Sequence, residues 1–262
     1  MPIITLTTDL GLKDYYVAAI KGAILSEIEH VNIVDFSHEI EKFNIVQTAF
    51  VVKNASRYFP KNTIHVIGVL PQRTPDIAHL AIEYDNQFFI GADNGIFSLI
   101  FEKPPTKVVA INIYQDTDLL TFPTKDVFVK AACHLARGGS IDLLGKQVNA
   151  INERSHFMAV VGPNSIRGIV AYVDSYGNLI SNISKSLFNE VRKNRPFTIT
   201  FRKPAYDITE ISNNYSDVIE SEVLALFGSS GFLEIAINIG HASNLMGIKV
   251  NDVLTILFDD DF

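Results

Sequence analysis

The chain predicts an α/β N-terminal domain with a mostly parallel sheet, followed by an all-β C-terminal domain, an antiparallel sheet or small barrel. Two observations predict this, and a third bounds it. Up to about residue 150, apolar runs of strand length alternate with segments of helical periodicity, and strands separated by helices pair in parallel. Beyond Gly162-Pro163, strand-length runs follow one another across turn-rich joints with only short helical stretches between them. The 262 residues, 47% hydrophobic and 19% charged, suffice for one large domain or two modest ones. The divide is expected between residues 150 and 165, giving an α/β domain over 1–155 and a β domain over 166–262.

The first strand, Ile3-Ile4-Thr5-Leu6-Thr7-Thr8, reads as buried and runs into Asp9 and Gly11. A helix is expected from Lys13 to Ile28, with Val17, Ile20, Ile24 and Ile28 on one stripe. Residues 31–36 form the second strand, and residues 44–58 a helix stopped before Pro60. Residues 63–70 are a third strand, with Pro71 opening a loop. Residues 79–84 and 87–90 read as a hairpin around Asp85-Asn86, followed by a short helix over 95–101. A strand over 108–113 and a helix over 127–137, stopped by Gly138-Gly139, close the first half. In the second half, strands are expected over 166–174, 179–183, 197–201, 223–227, 232–237 and 253–259, with a helix over 186–193. There is no internal repeat.

Composition excludes several classes of function. A net charge of −7 argues against nucleic acid, whose backbone demands clustered Lys and Arg. No apolar run reaches about 18 residues, so no membrane span is expected. No signal peptide is recognisable, and Cys133 is the single cysteine, so neither a disulfide framework nor a thiolate cluster is expected. A cytoplasmic protein is the natural reading.

In an open α/β sheet, ligands sit outside the carboxyl ends of the parallel strands, and Asp9 falls there. A carboxylate is an acceptor-only group, suited to a vicinal diol such as a ribose. It is equally suited to capping the helix that follows. No G-x-G-x-x-G follows the first strand, and there is no Walker-type loop, H-E-x-x-H or close histidine pair, so no metal is expected. In Gly91-Ala92-Asp93-Asn94-Gly95, Asp93 or Asn94 reads as a helix N-cap. Gly228-Ser229-Ser230-Gly231 reads as a hairpin turn or an anion cradle.

Five blocks in order carry a resemblance: Thr7-Thr8-Asp9-Leu10-Gly11, Asp35-Phe36-Ser37-His38, Gly91-Ala92-Asp93-Asn94-Gly95, Asp174-Ser175-Tyr176-Gly177-Asn178-Leu179-Ile180-Ser181-Asn182 and Ser230-Gly231-Phe232-Leu233-Glu234-Ile235-Ala236. The series resembles the S-adenosyl-L-methionine hydroxide adenosyltransferases and their relatives, the fluorinases and chlorinases. The resemblance implies a homotrimer, with each site between the first domain of one subunit and the second domain of its neighbour. It implies that Asp9 meets the ribose diol, that Asp14, Tyr15 and Tyr16 help hold the methionine end, and that Asp174 meets the ammonium. It further implies that Asn178 contacts adenine, that Ser229 and Ser230 meet the carboxylate, and that Ile237, Asn238 and Ile239 read the adenine edge. Phe43 matches an apolar wall near the reacting carbon. Beyond the substrate itself, the family chemistry requires neither cofactor nor metal, because the sulfonium is already a good leaving group.

The water-activating Asp-Arg-His set of the hydroxide-transferring members is not reproduced. Leu70 stands at the strand-end Asp position and lines the same pocket, Asp76 or Ile77 falls near the Arg, and Pro123 replaces the His. Thr124 matches the halogenase hydroxyl beside the halide, and Arg73 in the nearby loop is the available cation. His38 reads as a structural hydrogen-bonder, and His79 and His134 as packing or surface residues. Three functions follow: hydrolysis to adenosine and methionine, binding without chemistry, or halide transfer.

Overall fold

The computed structural model describes residues 1–113, 120–155, 158–201 and 206–259. The chain divides into two units, Met1–Ser155 and His156–Phe262.

In the first unit, β1 (Ile3–Thr8), β2 (Asn32–Ser37), β3 (Ile64–Gly68), β4 (His79–Tyr84), β5 (Gln87–Ala92), β6 (Lys107–Ile111) and β7 (Gly145–Gln147) form one sheet in the order β2-β1-β3-β5-β4-β6-β7. The pairs β2/β1, β1/β3 and β3/β5 are parallel and the rest antiparallel, so five of the seven strands point the same way. The sheet is mostly parallel, as expected. Helices α1 (Tyr16–Glu27) and α4 (Val129–Ala136) pack on one face, and α2 (Ile45–Ser56) and α3 (Ile96–Ile100) on the other. The strand period distributes the core. Ile64 and Val66 of β3 pack with Ile20, Ile24 and Ala132, whereas Ile67 packs with Ala49, Val52 and Phe97. Cys133 is buried here, its thiol pushed up to about 11 by burial, so it behaves as a small apolar residue.

The register aligns the strand ends. Thr8 lies opposite Gly68, Thr7 opposite Ser37, and Val66 opposite Ile90. The four parallel strands therefore finish at one edge, and the segments that leave them begin with Asp9, His38, Val69 and Asp93. This edge is where a doubly wound sheet presents its ligands. A single π-helical turn, Thr124–Phe128, leads into α4 and sets Thr124 over the same edge. Only a residue without a side chain fits beneath it: a Cβ on Gly68 would stand 2.6 Å from Thr124 Cγ2 and 2.8 Å from its Oγ1.

The sequence reading is too long at the start of α1. Residues 9–15 run as an irregular loop, with Gly11 at φ 70°, and the helix begins at Tyr16 with no side-chain cap. Asp9 thus does not cap it. The expected helix over 127–137 opens instead as the π turn. Strand β7 was not foreseen because three residues are too few to display a period.

In the second unit, β8 (Val160–Gly162), β9 (Ser165–Val173), β10 (Leu179–Ser184), β11 (Phe197–Thr200), β12 (Val223–Phe227), β13 (Phe232–Ile237) and β14 (Val253–Phe258) form an all-antiparallel sheet. The order is β11-β14-β9-β10-β13-β12, with β8 also paired to β9. Ile166, Leu179, Ile199, Ile235 and Ile256 fill its core, joined by Phe188 of α5 (Lys185–Arg192) and by Ala242 and Met246 of α6 (Ala242–Met246). Helix α6, missed in the sequence, is one turn with His241 as its N-cap and Gly247 as its left-handed stop.

Two predictions follow from this packing. His65 is buried among Phe36, Phe59 and Phe89, with Thr5 Oγ1 2.8 Å from Nδ1 and Gln87 Oε1 3.2 Å from Nε2. Burial drives its pKa down to about 4, so it folds neutral, whereas the unfolded imidazole titrates near 6.5. The stability tied to the neutral ring is complete above pH 6.5 and is lost as pH falls toward 4, on the order of 3 kcal/mol in all. Chemical denaturation at pH 7, 6 and 5 should show a steeper decline for the wild type than for His65→Gln, and equal slopes would contradict the assignment. In the same way, Gly68→Ala should lower unfolding free energy by about 1–3 kcal/mol through overpacking. Combining it with Thr124→Ala, which removes both opposing atoms, should recover most of that loss.

Candidate active site

At the strand-end edge of the first unit, the structure brings Phe43 onto Asp9 and Thr124 over Gly68. Asp9 is buried, at 7% exposure, and its Oδ2 accepts the Phe43 N–H at 2.8 Å. The Lys42 ammonium donates to the Asp9 carbonyl. Segment 38–43 is thus folded back on the end of β1, and its first residue contributes too: the His38 carbonyl accepts the Gly11 N–H at 2.7 Å. Oδ1 has no hydrogen-bond partner among the described residues. One carboxylate oxygen is therefore fixed and the other is available. That geometry suits a ligand donor and does not suit a helix cap, the other reading of Asp9.

Phe43 itself is 66% exposed and sits at φ 66°. Tyr15 and Tyr16 are exposed, their rings 4.5 Å apart, and Tyr16 meets Phe122 edge-on at 5.5 Å. Asp14 is exposed. Leu70, two residues past β3, adopts φ 46°, and its carbonyl accepts the Asn94 amide at 3.2 Å. Asn94 also accepts from Ile96 N–H, so its side chain serves the start of α3 although Gly95, at φ 93°, occupies the cap position. Asp93 turns elsewhere: its Oδ1 accepts the Asn152 N–H at 2.9 Å, and burial pushes its carboxyl up despite that bond. Thr124 lies buried over Gly68. Arg73 is exposed on the loop after β3. That loop is tied down by His79, whose Nε2 lies 2.8 Å from the Pro71 carbonyl. Burial, aided by the Arg73 charge, pulls the His79 pKa down.

In the second unit, Asp174, Asn178, Ser229 and Ser230 lie on two turns, and Ile237, Asn238 and Ile239 lie at the end of β13. Asp174 shapes the first: Oδ1 accepts the N–H groups of Tyr176 and Asn178, both at 2.9 Å, and Oδ2 accepts the Asn178 amide at 3.0 Å. Gly177, at φ 83°, completes it, packed so closely on His241 that no side chain would fit. The second turn is residues 228–231, closed by Gly231 N–H to the Gly228 carbonyl at 2.9 Å, with Ser230 Oγ facing the Phe232 N–H. It is a hairpin turn between β12 and β13 that also carries Ser229. Ile237 is buried; Asn238 donates to the Val218 carbonyl at 2.8 Å; Ile239 is 80% exposed at φ 51°.

Sequence reading passed over Glu234 as a candidate. It is 6% exposed in the middle of β13, and its Oε1 accepts the Tyr215 hydroxyl at 2.6 Å. A Cβ on Gly228 would collide with Oε2 at 2.4 Å, so the carboxylate abuts the serine turn. Burial raises its pKa, and the nearby Asp174 charge raises it further. The signal was present: a lone carboxylate inside the apolar run Phe232-Leu233-Glu234-Ile235-Ala236, which burial tolerates only with a partner.

Backbone strain marks the same places. Among the described residues, the large apolar side chains at positive φ are Phe43, Leu70 and Ile239. Bulky residues avoid that region at a cost of about 1–3 kcal/mol and persist there chiefly where function holds them. All three are candidate site positions. Among the described residues no group of His, Cys, Asp and Glu is arranged to hold a metal ion, and no helix is long and apolar enough to cross a membrane.

Comparison with known proteins agrees with these blocks. The family model described as the SAM hydroxide adenosyltransferase N-terminal domain matches residues 4–145, and the corresponding C-terminal domain model matches residues 168–255. A protein of Methanocaldococcus jannaschii named (R)-S-adenosyl-L-methionine hydrolase is 28% identical over 98% of this chain and 97% of its own length. One of the same name from Thermus thermophilus is 26% identical over 92% and 94%. The crystal structure of an uncharacterized conserved protein from Thermotoga maritima superposes with a TM-score of 0.89 at 29% identity, covering 97% of this chain and 99% of that one. With both domain models matched in order along most of its length, the chain belongs to the SAM hydroxide adenosyltransferase family.

Proposed function

We propose that this protein hydrolyses S-adenosyl-L-methionine to adenosine and L-methionine by displacement at C5′. Family membership and the two full-length relatives named as hydrolases support the reaction class. The observation that carries the substrate is Asp9: a buried carboxylate at the strand-end edge, one oxygen fixed by Phe43 N–H and the other available to the ribose diol.

The remaining roles follow the same reading. Asp14, Tyr15 and Tyr16 help hold the methionine end, Asp174 its ammonium, Ser229 and Ser230 its carboxylate, and Asn178 with Ile237, Asn238 and Ile239 the adenine. Phe43 and Leu70 wall the reacting carbon. Sites assembled between subunits of a homotrimer would complete the pocket, and the protein would work in the cytoplasm without a cofactor or a nucleic-acid partner. In the reaction, a water oxygen bonds to C5′ as the C5′–S bond breaks; the bonding pair leaves on sulfur as the thioether of methionine, and a water proton passes to solvent.

The positions of the family's Asp-Arg-His set hold Leu70, Asp76 or Ile77, and Pro123. Thr124 and Arg73 are the polar groups left near the nucleophile. A positioned general base contributes roughly 10²–10⁴ in rate, so turnover here rests on alignment and exclusion of water and is expected to be slow. Slow turnover and binding without turnover differ only in product.

Incubation with S-adenosyl-L-methionine should yield adenosine and methionine in equal amounts, unchanged by added chloride. A 5′-chloro nucleoside would assign the halide reaction, and tight binding with no product would assign a binding protein. Asp9→Ala should raise the dissociation constant for adenosine at least tenfold, since a hydrogen bond to a charged group contributes about 1.5–3 kcal/mol. Unchanged affinity would overturn the ribose assignment.

A further inference from the structure

Phe43 N–H fixes one oxygen of the Asp9 carboxylate, and the backbone that carries Asp9 is held by a neighbouring histidine. His38 is 4% exposed, directly after β2. Its ring and its carbonyl grip the chain on either side of Asp9. On one side, Nδ1 lies 2.7 Å from Thr8 Oγ1. On the other, its carbonyl accepts the Gly11 N–H at 2.7 Å. Thr8 passes the hold forward, because its Oγ1 accepts the Leu10 N–H at 3.3 Å.

The far side of the ring fixes which nitrogen carries the proton. Nε2 makes no regular hydrogen bond but lies 3.0 Å from Asp35 Oδ1, and a carboxylate at that distance favours a proton on Nε2. Asp35 is in turn paired with Lys21, Nζ to Oδ2 at 2.6 Å. With Nε2 protonated, Nδ1 is left as an acceptor for the Thr8 hydroxyl proton, and the Thr8 oxygen is left as an acceptor for Leu10. Every group in the chain Lys21–Asp35–His38–Thr8–Leu10 then has one role.

We infer that His38 is a positioning residue: its ring, braced by Asp35, locks Thr8 and thereby orients the Asp9 carboxylate for the substrate diol. The inference rests on the reading of Asp9 as the ribose ligand. It predicts a signature that loss of packing alone does not give. Asp9 holds substrate equally before and during displacement, so a misaimed carboxylate should weaken binding and leave the bound reaction nearly untouched.

The test measures adenosine binding by calorimetry and S-adenosyl-L-methionine turnover for wild type, His38→Ala, His38→Asn and Thr8→Val. Asparagine can place an acceptor where Nδ1 stands, and valine is the near-isostere that removes only the Thr8 hydroxyl. His38→Ala and Thr8→Val should each raise the adenosine dissociation constant and KM about tenfold, with kcat within threefold of wild type. His38→Asn should bring the constant back to within threefold. Thr8→Val keeps the test decisive should His38→Ala not fold. Wild-type affinity in Thr8→Val, or a folded His38→Asn as weak as alanine, overturns the positioning role while leaving Asp9 as the ligand. A wild-type protein that binds no nucleoside overturns the reading of Asp9 itself, and this inference with it.

Discussion

The structure of the first unit is organised by the parallel register that ends four strands at one edge. Thr8 opposite Gly68 and Thr7 opposite Ser37 bring the loops after β1, β2, β3 and β5 together without any contact between distant loops being required. Segment 38–43 then closes over the end of β1: Lys42 and the Phe43 N–H donate to Asp9, the His38 carbonyl accepts from Gly11, and the His38 ring meets the Thr8 hydroxyl. A carboxylate at this place would otherwise be solvated and mobile. Fixing one of its oxygens removes that freedom before any ligand arrives, which is the general route by which preorganised sites gain affinity.

Carboxylates in the second unit divide their work differently. Asp174 uses both oxygens to shape its own turn, holding Tyr176 and Asn178. Glu234 is the buried one, pressed against Gly228 and bonded to Tyr215, and burial together with the Asp174 charge raises its pKa. A cationic group brought to Asp174 would offset the charge that raises the Glu234 pKa.

Much of the fold was legible because the signals were long or periodic. Val17, Ile20 and Ile24 are all buried on α1, and the alternation in β3 splits between two cores. What was not legible was local. The start of α1 was misplaced because periodicity at residues 17–28 says nothing of the loop that Gly11 and segment 38–43 hold open. The π turn at Thr124 depends on Gly68, 56 positions earlier, and no pattern within the helix announces it. For the site, Asp9 was found from strand position, yet its two readings could be separated only by seeing Phe43 N–H on Oδ2 and α1 beginning at Tyr16. The strain at Phe43, Leu70 and Ile239 is invisible in sequence, since nothing in a side chain's identity reports a positive φ.

The account stands on a carboxylate preset for two hydroxyl groups. Its most direct test compares the wild-type protein's affinity for adenosine and for 2′,3′-dideoxyadenosine, which share the base and the 5′-hydroxyl and differ only in the two donors offered to Asp9. The account predicts that the dideoxy nucleoside binds at least tenfold more weakly, as expected for losing bonds to a charged acceptor. Equal affinity for the two would contradict it.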